Sequence, residues 1–395
     1  MRRFDLYAIL SGLQLGWTVW LAYVVMKGGD PGLAESAFHL TILLSEIPTG
    51  IIADRFGRRR SMLIGLGLGA LASFGYVIIT GTWTACLVLA LSGFASTFLS
   101  GADRALLWET ATRHGGEEFA RKTLARMNSL QMGALAAAPI IAGLLYQWFP
   151  LSPFWTRGAL SLITMVIVWG MQEPARTDWS AIPEDRAGLA PQEIADQRAP
   201  STWQQSRIAI RIIRNNRPLF LLLLFTWGYS MVGGMVGQFG QAYFPATGLS
   251  MVVAGVAFSL SRLISAGTSH LAERLDGVRA RRILQVAPLA QAVLFLAMGW
   301  TGGLLGAAAF IMGEALDGFI SPTLDAEVNR VIPDAQRATI LSLQSAGYSL
   351  LMTFTFPLAS QLPTIPMIYQ VTGLVAIVIG TIWFLRRPQT VAVAA

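Results

Sequence analysis

Acidic residues interrupt long apolar runs of this sequence, and four of them are the side chains best placed to do chemistry. They are Glu46, Asp103, Glu314 and Asp317. A carboxyl group shielded from water holds a proton more readily than one in solution, and it releases that proton when water reaches it. We therefore predict that Glu314 and Asp317 are proton-linked acids.

The other two acids allow competing interpretations. Glu46 lies beside Pro48 near the predicted end of its segment, where a gate and a structural role are equally consistent. Asp103 is followed by Arg104, so an ion pair with that arginine or with Arg262 is the usual fate of such a charge.

Polar side chains also form stripes on four apolar segments when each segment is projected at 100° per residue. The stripes are Tyr7, Ser11, Gln14 and Thr18; Ser92, Ser96, Ser100 and Asp103; Thr226, Tyr229, Ser230 and Gln241; and Glu314, Asp317, Ser321 and Asp325. Polar groups in hydrocarbon are costly unless they face a cavity or a partner. The stripes predict a cavity that binds a small molecule or a proton, with Gln14 and Tyr229 among its candidate residues. Ordinary hydrogen bonding between helices is the alternative, and for Ser and Thr it is favoured.

Few features of the sequence indicate an enzyme active site or a metal site. The single cysteine, Cys86, forms no disulfide within the chain, and the histidines, His39, His114 and His270, are scattered and predicted to be structural. The sequence has no Ser/His/Asp arrangement and no G-x-x-x-x-G-K-[ST] phosphate loop. We predict a non-enzyme without a cofactor.

The composition is that of a membrane protein. Only 13% of the residues are charged and the mean hydropathy is +0.54, whereas roughly a quarter of a soluble chain is charged. The apolar runs reach about 20 residues, the length that spans a bilayer as a helix. The net charge of +7 could suggest nucleic acid. The arginines cluster beside apolar runs, however, so the lipid bilayer is the predicted partner.

Twelve helical spans are predicted, and the charged loops orient them. The spans lie near 6–26, 33–53, 61–80, 84–107, 128–148, 154–171, 218–243, 250–271, 283–301, 303–324, 339–360 and 365–385. With this count every arginine-rich loop falls on one side and Lys27 alone falls on the other. Both termini are therefore predicted to be cytoplasmic, in the inner membrane of a cell.

A polar segment divides the spans six and six. The predicted units are a bundle at 1–172, a linker at 173–217 and a second bundle at 218–395. In the linker, Arg207, Arg211 and Arg214 share one helical face, and Ile208 and Ile212 share another. This pattern favours an amphipathic helix on the inner membrane surface; a partner-binding helix is the alternative.

The two bundles repeat short sequences in the same order. "ADRFG" at 53–57 corresponds to "AERLDG" at 272–277, and "SLQMG" from Ser129 corresponds to "SLQSAG" from Ser342. Two six-helix halves about an axis normal to the membrane form an architecture of secondary transporters. The fold class predicted is therefore an all-α membrane protein.

One loop carries a family resemblance. "GIIADRFGRRR", Gly50 to Arg60, resembles the G-x-L-A-D-R-x-G-R-R/K loop of the major facilitator superfamily, with Ile52 in place of Leu. The preceding "EIPTG" is similar to bacterial drug-efflux-like members. The resemblance implies twelve transmembrane helices in two pseudo-symmetric bundles, a cavity among helices 1, 4, 7 and 10, and a monomer.

The resemblance also implies roles for residues of the loop. Asp54 is expected to latch the cytoplasmic side by meeting the start of helix 11, with Arg55 and Arg58 as its partners. Physically, Gly50 would let another helix approach closely, and Gly57 would take the positive φ of a tight turn.

Residues and resemblance together predict a proton-coupled exporter of small amphipathic or aromatic compounds that works by alternating access. Two departures weaken the antiport interpretation: Leu89 stands where many members have Arg, and the antiporter pattern of helix 5 survives only as "APIIAG". The alternatives are an importer or facilitator of a small metabolite, sugar or siderophore and, less favoured, a lipid flippase.

Overall fold

The structure is a computed structural model that describes residues 2–171, 202–275, 277–333 and 336–385. At residues 202–206 and at Asp54, Arg281 and Ala338 it describes the backbone alone. Within these ranges the regular structure consists of α-helices and two short 3₁₀ turns.

The first half contains seven helices. They are α1 Arg2–Gly12, α2 Trp20–Met26, α3 Pro31–Phe56, α4 Arg58–Gly75, α5 Thr82–Leu99, α6 Ala102–Trp148 and α7 Ser152–Trp169. The 3₁₀ turns are Gly16–Thr18 and Tyr76–Ile78. The backbone of α6 leaves helical conformation at Gly115 and Gly116, so α6 is two helices joined at a bend.

The second half also contains seven helices. They are α8 Thr202–Asn215, α9 Arg217–Ala246, α10 Met251–Ala272, α11 Gly277–Thr301, α12 Gly303–Val331, α13 Arg337–Ser360 and α14 Ile365–Leu385. The predicted boundary between spans 9 and 10 is present between α11 and α12, where Gly302 has a φ of 61° and breaks the helix.

Local signals explain where several helices begin. The Asp30 side chain accepts hydrogen bonds from the first backbone amides of α3, at 2.7 Å from Gly32 N, and Pro31 occupies the first turn. Asn216 caps α9 in the same way, and Pro218 follows it. A side-chain acceptor at the cap satisfies a backbone donor that has no partner inside the helix, and proline suits a position whose N–H is not needed.

The surface is apolar, as a bilayer requires. Leu44, Val166 and Leu385 are 68%, 71% and 73% exposed, and Trp83 and Trp148 are more than 80% exposed at helix ends. Contiguous apolar exposure of this kind is unusual for a soluble monomer, and tryptophan at helix ends is typical of membrane interfaces. Nine helical stretches of the described residues are long and apolar enough to cross a membrane, and one of them, 82–148, has 67 residues. The count of twelve spans stays a prediction.

The bundle has two distinguishable ends. The turn at Gly57 and the starts of α4 and α13 share the end that we call the arginine-rich end, because Arg58, Arg59 and Arg60 begin α4. The loops at 27–30, 76–81, 247–250 and 361–364 share the other, which we call the closed end.

The two halves meet tightly at the closed end. There α3 crosses α13 so closely that a methyl group on Gly32 would lie 2.6 Å from the carbonyl oxygen of Phe356. Likewise, a methyl group on Gly143 of α6 or on Gly255 of α10 would collide with the facing backbone. Small residues at a crossing allow backbones to approach closely. The largest apolar cluster crosses between the halves at this end.

The predicted linker helix is present as α8, and the rest of the linker up to residue 201 lies outside the described residues. Ala209 and Ile213 are 0% and 8% exposed and pack into a cluster with Ile340 of α13. Ile208, assigned to the apolar face by periodicity, is 38% exposed. The buried face is therefore rotated by about one residue from the predicted one, because α8 packs on the second half.

Candidate substrate and proton site

A cavity of about 550 Å³ lies within the second half, toward the arginine-rich end. Its described lining comes from α9, α12 and α13: Trp227, Ser230, Asp325, Asn329, Leu341, Gln344, Ser345 and Tyr348. Trp227 donates its indole N–H to the carbonyl oxygen of Gln344 at 2.9 Å, which fixes the ring on the wall. The side-chain Oε1 of Gln344 is buried and has no hydrogen-bond partner among the described residues.

Asp317 forms the centre of a polar cluster between α9 and α12. Its Oδ1 accepts a hydrogen bond from the Tyr229 hydroxyl and another from Ser321 Oγ at 2.7 Å. The sequence predicted Tyr229 and Asp317 as candidate site residues and placed Ser321 on the same polar stripe as Asp317, and in the structure the three side chains are in contact. The two donors hold the Asp317 carboxyl group in a fixed orientation at the contact between α9 and α12.

Glu314 lies one turn before Asp317 and interacts electrostatically with Arg262 of α10. The two helices approach closely at Gly318, where a methyl group would collide with Thr268 and with the backbone at Ser265. The predicted pairing of Arg262 with Asp103 is therefore wrong, since α12 rather than α6 supplies its acidic neighbour. The Nε of Arg262 is buried without a hydrogen-bond partner among the described residues.

In the first half, Asp103 pairs with Tyr7. The Tyr7 hydroxyl lies 3.3 Å from Asp103 Oδ2, and Oδ1 accepts the backbone N–H of Arg104 at 2.7 Å. The Arg104 side chain is exposed. Asp103 therefore meets a tyrosine on α1, and its bond to Arg104 uses the backbone rather than the guanidinium.

The helix of the first predicted span is interrupted, and Arg157 donates hydrogen bonds to the backbone carbonyl groups at the interruption. Between α1 and the first 3₁₀ turn, residues 13–15 are non-helical. Arg157 of α7 donates to the carbonyl oxygens of Leu10 at 3.1 Å and of Leu13 at 3.5 Å. Gln14 lies in this break, partly buried. Backbone polar groups inside a membrane must be satisfied within the protein, and Arg157 does this here.

The predicted latch motif is only partly described. Gly57 has a φ of 105° and forms the one-residue turn between α3 and α4, as predicted. Arg58 forms an ion pair with Glu109 of α6 at 2.7 Å. The side chain of Asp54 lies outside the described residues, and the latch roles of Asp54 and Arg55 stay predictions.

Two further predictions concern the same stretch of α3. No neighbouring atom lies within 4 Å of a methyl group built on Gly50, so the predicted close helix approach is wrong for this conformation. The reason is that α3 and α13 meet at the closed end. Glu46 is partly exposed, and its role stays open.

A polar cluster that was not predicted from the sequence lies at the closed end. We call it the Glu35 cluster, and its members are Glu35, His39, Gln238, Gln241 and Trp20. Glu35 is 0% exposed; its Oε1 accepts from Gln238 Nε2 at 3.1 Å and lies 3.5 Å from His39 Nε2. Gln238 Oε1 accepts from Trp20 Nε1 at 3.3 Å and from Gln241 Nε2 at 2.9 Å. The one available signal was an acid followed four residues later by a histidine inside an apolar run, a spacing that places both on one helix face.

Comparison with known proteins identifies the family. Residues 10–354 match the Major Facilitator Superfamily, and the chain belongs to this family. It is therefore a transporter that crosses the membrane several times, and not an enzyme.

Individual relatives are distant. The uncharacterized MFS-type transporter YxaM of Bacillus subtilis (strain 168) is 20% identical over 358 residues, which are 87% of this chain and 84% of YxaM. The crystal structure of the nucleoside transporter NupG superposes with a TM-score of 0.73 at 14% identity, covering 98% of this chain and 100% of that one. A D-xylose-proton symporter superposes with a TM-score of 0.72 at 15% identity, covering 98% of each chain. At these identities the structures establish the fold alone.

Proposed function

We propose that this protein is a proton-coupled transporter that takes up a small, uncharged, hydroxyl-rich solute such as a sugar or a nucleoside. The observation that carries the proposal is the cavity of about 550 Å³, whose lining is polar apart from Leu341 and the aromatic rings. Its volume lies within the range of small-molecule sites, about 300–1,000 Å³.

The lining chemistry favours hydroxyl groups and flat rings. Ser230, Asn329, Gln344 and Ser345 supply both donors and acceptors, which is what a hydroxyl group needs because it donates one hydrogen bond and accepts others. The rings of Trp227 and Tyr348 offer faces on which a sugar or a base packs. A cavity for amphipathic compounds would present more aliphatic surface, so the export predicted from the motif has less support.

Two fold neighbours are consistent with this class of solute. One is a nucleoside transporter by name and the other is a D-xylose-proton symporter. Their identity to this chain is too low to transfer a substrate, and the proposal depends on the lining residues.

Proton coupling is assigned to Asp317. It lies in the same helix as the lining residue Asp325 and is held by Tyr229 and Ser321. Glu314 beside it is a second acid, so one proton shared between the two relieves like-charge repulsion. In this proposal the arginine-rich end faces the cytoplasm and the chain works as a monomer in the inner membrane. The conformation described is then inward-facing.

Reconstituted liposomes test the proposal. Purified protein is supplied with a panel of radiolabelled sugars and nucleosides and, in parallel, with amphipathic cationic dyes, each with and without an inward proton gradient. We expect gradient-dependent accumulation of a polar solute together with acidification of the lumen. Exchange of dyes for protons without polar-solute uptake would overturn the proposal.

A substitution in the cavity provides a matched comparison. Gln344→Ala removes a polar side chain from the cavity lining and is expected to raise KM for the solute by about tenfold, the effect of one lost hydrogen bond of ordinary strength. Leu358→Ala on the same helix alters a side chain that is 65% exposed on the outer surface. It is expected to leave KM unchanged.

A further inference from the structure

We propose that Glu35 and His39 together bind one proton that holds the closed end shut, so that this pair is a second proton site, distinct from Asp317. The proposal rests on the proposed function only for the direction in which the proton travels. The linkage between protonation and closure follows from the geometry of the Glu35 cluster.

The hydrogen bonds of the cluster fix where a proton can reside. An indole N–H only donates, so the atom of Gln238 that faces Trp20 is its carbonyl oxygen. The amide nitrogen of Gln238 must then face Glu35, and Glu35 Oε1 must accept. A proton in the pair is therefore on Glu35 Oε2 or on His39.

The pair is too deeply buried to remain without that proton. Glu35 is 0% exposed and His39 is 6% exposed. Neither Glu35 Oε2 nor His39 Nδ1 has a hydrogen-bond partner among the described residues. An ionised carboxylate beside a neutral imidazole would be a net buried charge, which is strongly unfavourable. One added proton makes the pair neutral overall, either as two neutral groups or as an ion pair.

The groups around the pair do not replace that proton. Tyr76, from the 3₁₀ turn after α4, and Tyr348, from α13, both interact electrostatically with Glu35. From α9 the pair meets the neutral amide of Gln238. The ion-pair partner of Glu35 is His39 itself, one turn along the same helix.

The cluster bridges the two halves where they must separate. Gln238 and Gln241 belong to α9, whereas Glu35 and Trp20 belong to the first half. Gln241 also accepts the backbone N–H of Leu21 at 3.0 Å. Opening the closed end breaks these contacts and admits water to Glu35, and a hydrated carboxylate no longer requires the proton.

The cluster also adjoins the cavity. The ring of Tyr348, which lines the cavity, packs edge-on against the ring of His39 with centroids 5.5 Å apart. Glu35 and His39 thus lie on the side of the cavity that faces the closed end. A proton taken up when the closed end is open would permit closure and would leave toward the cavity, which is the order of events in uptake driven by protons.

The conformation of the closed end tests the linkage without any substrate. Spin labels are placed at Lys27→Cys and Thr364→Cys, two exposed positions in loops of different halves at that end, in a Cys86→Ser background. The distance between the two spin labels is measured by double electron–electron resonance in nanodiscs from about pH 5 to about pH 8, the range in which a histidine changes charge. We expect a short distance at low pH and a growing population at long distance as the pH rises.

Three variants decide the outcome. Glu35→Gln mimics the protonated acid and is expected to keep the short distance at every pH. His39→Gln is expected to displace the midpoint of the pH response by at least about one unit, as for coupled groups. Glu118→Gln makes the same chemical change at an acid that is 70% exposed, and it should behave like the parent. An unresponsive parent, or a Glu35→Gln variant that still opens, would overturn the proposal.

Transport then separates this proposal from the proposed function. Because its closed end stays shut, Glu35→Gln is expected to lose both gradient-driven accumulation and substrate exchange by at least about tenfold, within the range of ordinary coupling free energies. If the parent moves no sugar or nucleoside but still opens with rising pH, the proposed function fails and the proton site stands. If the parent transports and Glu35→Gln accumulates normally, the proton site fails.

Discussion

Each half of the molecule contains a tyrosine that donates to an aspartate on another helix, and the two pairs differ in their surroundings. Tyr7 of α1 meets Asp103 of α6, and Tyr229 of α9 meets Asp317 of α12. In the predicted six-plus-six repeat these are equivalent helices, the first and fourth of each half. The Tyr–Asp pair is thus present in both copies of the repeat.

The difference lies in what else touches the acid. Asp317 also accepts from Ser321 and has Glu314 one turn away, whereas Asp103 accepts from the backbone of Arg104. A second acid nearby allows a proton to be shared, and a backbone donor mainly holds a side chain in place. We therefore expect the second-half pair to carry protons and the first-half pair to be structural.

The largest expected effect comes from neutralising the two aspartates. Asp317→Asn should reduce proton-driven accumulation by about 100-fold, near the upper end of ordinary coupling energies. Asp103→Asn should cost much less, because the amide preserves the acceptor toward Tyr7. Uptake in liposomes under an imposed proton gradient measures both. Equal losses of accumulation in the two variants would contradict the assignment of proton coupling to Asp317 and of a structural role to Asp103.

Removing each tyrosine hydroxyl sharpens the comparison. Tyr229→Phe should lower accumulation by about tenfold, since a hydrogen bond to a charged group contributes about 1.5–3 kcal/mol. Tyr7→Phe should lower the melting temperature more than it lowers transport. Uptake and thermal unfolding are measured on the same preparations, and the reverse pattern would contradict the assignment.

A packing substitution tests whether α10 and α12 position Glu314. Gly318→Ala should destabilise the protein by about 1–3 kcal/mol, because an added methyl group overpacks the crossing against Thr268. Gly267→Ala on α10 is the control, since nothing lies within 4 Å of its new methyl group. It should be neutral or slightly stabilising, because alanine favours helix by about 0.5–1 kcal/mol. Thermal unfolding in detergent compares the two variants.

The smallest expected effect is at the second donor to Asp317. Ser321→Ala should lower accumulation by about threefold, near the lower limit for one hydrogen bond. Ser73→Ala, whose hydroxyl donates to Gly69 of its own helix at 2.8 Å, should leave accumulation unchanged. A loss as large as that of Tyr229→Phe would mean that Ser321, and not the tyrosine, is the principal donor.

The sequence predicted features that local pattern controls. The helical membrane fold follows from apolar runs, the turn at Gly57 follows from a glycine between two helices, and the polar stripes that contain Asp317, Tyr229 and Ser321 follow from periodicity within single helices. The family of transporters followed from the loop at Gly50–Arg60. These inferences need no knowledge of which helices touch.

The features that were missed or wrong depend on contacts between distant residues. Glu35 meets Gln238, which is 203 positions away in sequence, and no pattern within α3 reveals that partner. Arg262 faces α12 rather than Asp103 because of how α10 packs. The break at residues 13–15 interrupts an apolar run that is continuous in sequence, and Arg157 on another helix satisfies its carbonyl groups.

The break at residues 13–15 divides the first membrane segment into two parts that are anchored separately. The first part, α1, is held to its own half by Arg157, which donates to the Leu10 carbonyl oxygen. The second part, which follows the break, is held to the opposite half by Gln241. This side chain donates to the Trp17 carbonyl oxygen and accepts from the Leu21 backbone N–H. If the halves separate at the closed end, we expect the bending to be concentrated at residues 13–15, where regular helical structure is interrupted.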